Sequence, residues 1–189
     1  MECRGYSEGL QRAITDLGAD DAFAGAAAKL KEHYGIEVPV SAVRVVTQEH
    51  GAAMLAAEKP KSEGPEGAGV PLLIVEMDGS MLPVVTTGEW VPGEAWVDRR
   101  KTRQVGWKEA RLALAHPPGS VTPILGATLG SVEEAGERLA VCAFQAGAGS
   151  QTKFHGVGDG AVWITEQMEA QFGSQAQYLL DFYHVCDYL

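Results

Sequence analysis

GVGDGAVWI, residues 156–164, sets an aspartate inside a glycine-rich turn, after the strand-like run TKFHGV and before the helix-like run AVWITEQMEAQF. QYLLDFYH follows as a second strand, so this part of the chain reads as strand, helix, strand, a parallel βαβ unit. Three chemistries are written in similar letters at such a turn. A phosphate loop needs glycines for close backbone approach, a helix cap needs a side-chain oxygen on an orphan N–H, and a metal site needs a carboxylate at a strand end.

The first of these matches in spacing. Gly156, Gly158 and Ala161 satisfy G-x-G-x-x-G/A, and Asp181 lies 20 residues after Ala161. Two points oppose it. Asp159 would put a carboxylate into the pocket that must receive a pyrophosphate, and only 28 residues follow Ala161, too few to complete a dinucleotide-binding half.

Upstream, VPLLIVEMDGSMLPVV reads as two strands around an Asp78-Gly79 turn, with Pro83 limiting pairing at its position. A stretch rich in turn residues and charge runs from Thr86 to Gly106. KEARLALA alternates as a half-buried strand does, and TPILGATLG supplies another. SVEEAGERLAVCAFQAG reads as a helix opened by a capping box, Ser131 to Glu134, with Ala135, Leu139 and Cys142 facing inward. The expected fold class is therefore α/β, a mixed sheet with flanking helices over residues 71–189.

Residues 1–57 read as three helices. Ser7 caps the first, with Leu10, Ile14 and Leu17 on one face before Gly18 stops it. Asp20 or Asp21 caps the second, in which Phe23, Ala27 and Leu30 form a stripe that Gly35 ends. Ser41 caps the third, AVRVVTQEH, which Gly51 closes; Val43 and Val46 face inward, while Arg44 and Gln48 share an exposed face and are residue types that reach base edges. A helix-turn-helix and a plain helical bundle both fit this pattern. Residues 1–50 carry five Lys and Arg against eight acids, which favours the bundle. Residues 58–70, largely EKPKSEGPEGAG, read as a linker.

The 189 residues carry a formal net charge of −10, which excludes indiscriminate binding to phosphate backbones. No apolar run reaches the 18 residues of a membrane helix and MECRGYSEGL has no apolar leader core, so no membrane partner and a cytoplasmic location are expected. Cys3, Cys142 and Cys186 are odd in number and far apart, as buried or inert thiols are.

Asp78, Asp159 and Asp181 share one property. Each ends or interrupts an apolar strand, so parallel neighbours would collect their carboxylates at one sheet edge, where a divalent cation offsets their repulsion. Taken singly, a hairpin turn, a helix cap and a strand end explain them as well.

VEMDGSMLP, GVGDGAVWI and DFYHVCDYL, in that order after a helical N-terminal region, resemble the transposases of bacterial insertion sequences in the Kra-type, mutator-like group. The resemblance implies a ribonuclease H-like catalytic domain with two Asp and a Glu as metal-binding acids, preceded by a helix-turn-helix. It assigns Asp78 and Asp159 as the first two carboxylates for Mg²⁺ or Mn²⁺, and Asp181 with His184 as an accessory motif. It also implies DNA partners, namely element ends and target, contacted by Arg44, Gln48 and the basic run that includes Arg99, Arg100, Lys101 and Arg103. A homo-oligomer or a complex with a downstream-encoded fragment is a further expectation. The sequence departs from the family pattern at its end, where the third acid has no counterpart; this implies an incomplete ribonuclease H-like domain, inactive alone. A non-catalytic DNA-binding remnant and a nucleotide-binding domain using GVGDGA are the alternatives.

Overall fold

The computed structural model describes residues 5–57, 67–88, 98–182 and 186, with backbone alone at Arg99 and Arg100. The chain divides into two compact units, Met1–Pro60 and Lys61–Leu189. No described helix is long and apolar enough to cross a membrane.

Among the described residues, unit 1 is three helices, α1 (Glu8–Asp20), α2 (Phe23–Tyr34) and α3 (Val40–Ala57). The Ser7 hydroxyl accepts from the Leu10 N–H and caps α1, and Gly35, at φ 67°, ends α2 in the left-handed region. Ile14, Ala26, Leu30, Val43 and Val46 are buried together, each helix contributing the stripe its 3.6-residue period sets out.

Three boundaries differ from expectation. α1 runs through Gly18 because Gly18 is where α3 crosses: a Cβ there would stand 2.2 Å from the Thr47 Oγ1. Neither Asp20 nor Asp21 is the N-cap of α2, which is Ala22 without a side-chain cap; Asp21 accepts the Ala22 N–H and pairs with Lys29 at 3.1 Å, and that pairing holds its carboxyl below the usual range. α3 starts at Val40 and passes Gly51, since the following AAMLAA is rich in strong helix formers and outweighs a single glycine.

Among the described residues, unit 2 is a five-stranded mixed sheet packed with α-helices, in the order β1 (Leu72–Thr86), β2 (Gln104–His116), β3 (Ile124–Thr128), α4 (Val132–Gln145), β4 (Lys153–Gly158), α5 (Val162–Phe172) and β5 (Ala176–Leu180). The strand order is β3-β2-β1-β4-β5. β2 runs antiparallel to β1 and β3, whereas β4 is parallel to β1 and to β5. The crossovers β3–α4–β4 and β4–α5–β5 move the same way across the sheet, and right-handedness then puts both helices on one face. Leu73, Val75, Met77, Ala113, Ala115 and Phe154 point to that face and bury Leu139, Cys142, Ile164 and Met168 against them. Each large side chain so buried contributes about 1.5–3 kcal/mol. Phe154 and Phe172 stack at 3.9 Å.

Asp78 and Gly79 do not form a hairpin turn. They lie inside β1, opposite Leu112 and Arg111, and Gly79 has no positive φ of the kind a two-residue hairpin needs. β2 begins at Gln104, inside the stretch read as turns, because QVGW pairs with the PVVT end of β1. Residues 67–70 are not a free linker either: Gly67, Ala68 and Val70 exchange backbone hydrogen bonds with Ser150, Gln151 and Gly147. The capping box is half formed, with Ser131 accepting from the Glu134 N–H while the Glu134 carboxylate takes the Thr128 hydroxyl. Cys142 is buried, but Cys186 is exposed.

Candidate carboxylate site

The last register pair between β1 and β4 is Glu76 with Val157. Two residues further along each strand stand Asp78 and Asp159. Between β4 and β5 the last pair is Gly158 with Leu180, and one residue further on stand Asp159 and Asp181. The three aspartates thus form a row across adjacent parallel strands, Asp159 and Asp181 just past the ends of β4 and β5 and Asp78 inside β1 just beyond its pairing with β4, with about 5 Å between neighbouring strands. The Asp181 N–H donates to the Gly158 carbonyl at 2.9 Å and keeps β5 beside β4 at that point.

All three line one open cavity of about 600 Å³, with Glu76 as a fourth acid and Leu112, Leu114 and Leu125 as an apolar floor. Glu76 and Asp78 are two apart on β1, so they point to the sheet face opposite the helices. No Lys, Arg or His lines the cavity among the described residues.

Local hydrogen bonds fix the carboxylates. Asp78 Oδ1 accepts from the Gly79 N–H at 2.7 Å, and Asp159 Oδ1 accepts from the Ala161 N–H at 2.9 Å. Gly160 turns the chain between β4 and α5 at φ 92°, where a side chain would be strained. Its N–H donates to the Tyr178 hydroxyl at 2.9 Å. Burial pushes the Tyr178 phenol up, the Gly160 bond opposes this, and the Asp159 charge adds to the rise.

The donor set is four carboxylates, and carboxylate oxygens are the ligand type of a hard divalent ion. Among the described residues, no three His, Cys, Asp or Glu side chains converge closely enough to hold an ion by themselves. An ion that retains most of its water, as Mg²⁺ does, needs only one or two carboxylates from the protein. His184 lies outside the described residues. Glu76 and Tyr178 were not singled out in the sequence, although Glu76 is signalled by its spacing of two from Asp78 on a strand.

The other expected residues lie elsewhere. Lys101 and Arg103 are exposed just before β2; Arg99 and Arg100 open the 3₁₀ turn Arg99–Thr102, their side chains outside the described residues. Arg44 and Gln48 are exposed on α3, in unit 1. Compared with known proteins, the chain matches no protein-family model and no curated protein sequence.

Proposed function

We propose that unit 2 is a ribonuclease H-like domain of the transposase type, acting on DNA with divalent metal, and that unit 1 contributes a DNA-binding helical module. The observation that carries this reading is the row of Asp78, Asp159 and Asp181 across the parallel strands β1, β4 and β5, all three lining one cavity. The strand order supports it as well, since only adjacent, parallel β1 and β4 bring the first two acids together.

In this role Asp78 and Asp159 hold Mg²⁺ or Mn²⁺, which supplies Lewis-acid polarisation of a phosphate oxygen and of the attacking water or 3′ hydroxyl. The Gly79 and Ala161 N–H groups orient the two carboxylates, and Asp181 with Glu76 adds negative charge to the same cavity. In unit 1, Arg44 and Gln48 present hydrogen-bonding groups from one side of α3. The five-residue connection 35–39 between α2 and α3 exceeds the usual three or four of a helix-turn-helix, and weighs for a plain bundle.

A non-catalytic DNA-binding remnant is the second reading, favoured by the lack of three converging ligands among the described residues. The dinucleotide reading loses support at Ala161, whose N–H is already given to Asp159. Calorimetric titration of the full chain with MgCl₂ and MnCl₂ tests the proposal. Binding that falls at least about 10-fold in Asp78→Asn/Asp159→Asn supports it; equal affinity in wild type and double variant overturns it.

A further inference from the structure

Beyond the sheet, β1 and β2 continue as a two-stranded ribbon. β4 pairs with β1 only as far as Glu76 and β3 pairs with β2 only from Arg111, whereas the β1–β2 ladder runs on from Gly79–Arg111 to Thr86–Gln104. The helix layer stops at the same level, where Arg111 lies over the Trp163 ring at 5.7 Å. Past it, the odd-numbered positions of both strands emerge from under the helices. Met81, Pro83, Val85, Val105 and Trp107 then form one apolar stripe, with Pro83 directly opposite Trp107. Trp107 is 64% exposed and Val105 61%.

An isolated ribbon with such a face is marginal on its own and calls for a partner. Charge selects which. Residues 79–111 hold six Lys and Arg against four acids, while the rest of the chain holds nine against 21. Lys101, Arg103 and Lys108 are exposed, the first two just before β2 and Lys108 on the reverse face beside Leu82. An exposed ring on one face, with cations just before it in the chain and on the reverse face, suits a single strand that wraps the ribbon: bases stack on the ring while the phosphates meet the cations.

We propose that the β1–β2 ribbon binds single-stranded DNA, with Trp107 stacking on an unpaired base and Lys101, Arg103 and Lys108 meeting the backbone. The inference rests on the DNA reading above only for the choice of DNA; it needs neither metal nor the aspartates.

The test is fluorescence anisotropy of the full chain with a labelled 20-nucleotide single strand and with the corresponding duplex, both in EDTA. Wild type should bind the single strand more tightly. Trp107→Ala should weaken that binding about 5- to 100-fold and leave duplex binding unchanged, while Trp107→Phe, which keeps a ring, should retain most of it. Lys101→Ala/Arg103→Ala/Lys108→Ala should flatten the dependence of log K on log salt by about 2. No preference for the single strand, or equal affinity in wild type and both Trp107 variants, overturns the proposal. So does a loss of dimers on sizing of Trp107→Ala, which would assign the stripe to a second protein copy. If Trp107→Ala does not fold, Trp107→Phe and the triple cation variant decide. Asp78→Asn/Asp159→Asn should bind the oligonucleotides as wild type does, so failure at the ribbon and failure at the metal site are read separately.

Discussion

Asp78 and Asp159 occupy equivalent places on neighbouring parallel strands, each two residues beyond the Glu76–Val157 pair. Like charges one strand apart, about 5 Å, repel by about 1 kcal/mol when water screens them. Both aspartates are exposed, so that screened value applies. Asparagine keeps the oxygen that accepts from Gly79 or Ala161 but removes the charge. In EDTA, Asp78→Asn or Asp159→Asn should therefore melt a few degrees above wild type, and millimolar Mg²⁺ should raise wild type toward the variants. A melting temperature lowered by either substitution, with no response to Mg²⁺, would assign these residues to capping alone.

Gly69 and Gly149 meet backbone to backbone. A Cβ on Gly149 would stand 2.2 Å from the Gly69 nitrogen, and one on Gly69 would stand 2.1 Å from the Gly149 nitrogen. Backbone cannot swing aside as a side chain does, so the segments 67–70 and 147–151 would have to part. Their bonds include Ser150 N–H to Gly67 and Gln151 N–H to Ala68. Gly149→Ala should cost about 2–4 kcal/mol from overpacking and lost hydrogen bonds, measured by urea denaturation. A change within about 0.5 kcal/mol would show that the two segments are only loosely joined.

That contact also shows where sequence alone runs out. EGAG carries no hydrophobic period, so nothing local says that its second half docks against a turn 80 residues away. Where a period exists, the sequence is legible: the buried stripe of Ile14, Leu30, Val43 and Val46 and the inner face of α4 follow from spacing alone. The order strand, helix, strand around GVGDGA was readable for the same reason, and with it the place of Asp159 and Asp181 at strand ends. The Asp78-Gly79 pair misleads because its letters suit a tight turn, and the deciding factor is a distant partner. GWKEAR lies opposite GSMLPV, and pairing along the whole length outweighs the local turn preference. The spacing of two between Glu76 and Asp78 is written in the sequence, but it gains meaning only once the far side of the sheet is known to be open.

Tyr178 gives the acidic edge a pH dependence. Burial raises its phenol above the ordinary value of about 10. A raised value means that the folded state holds the proton more tightly, so this stabilisation is complete below about pH 10 and is lost as pH climbs through the folded value. Tyr178→Phe removes both this titration and the acceptor for the Gly160 N–H, the latter at a cost of about 1 kcal/mol. The variant should be less stable than wild type at pH 7, and the gap should narrow above pH 10. A gap that stays constant from pH 7 to pH 11, followed by urea denaturation, would show that the phenol does not titrate differently on folding.

Gly18 sets helix propensity against packing. Alanine there should favour α1 by about 0.5–1 kcal/mol, since glycine is the poorer helix former. Yet its Cβ would lie 2.2 Å from the Thr47 Oγ1 and 3.3 Å from both the Thr47 Cβ and a Val43 methyl. Thr47 is not free to rotate away without loss, because its hydroxyl donates to the Val43 carbonyl at 2.9 Å. Overpacking costs about 1–3 kcal/mol, so the clash outweighs the propensity gain and Gly18→Ala should destabilise unit 1. The cause can be isolated by a double-mutant cycle. Thr47→Ala removes the oxygen that the new methyl meets first, so Gly18→Ala placed on that background should be neutral or stabilising, with a coupling of at least about 1 kcal/mol. Melting of all four proteins, followed by helical circular dichroism, measures it. Additive effects would mean that α1 and α3 are not in contact at Gly18, and that the glycine sits there for some reason other than the crossing.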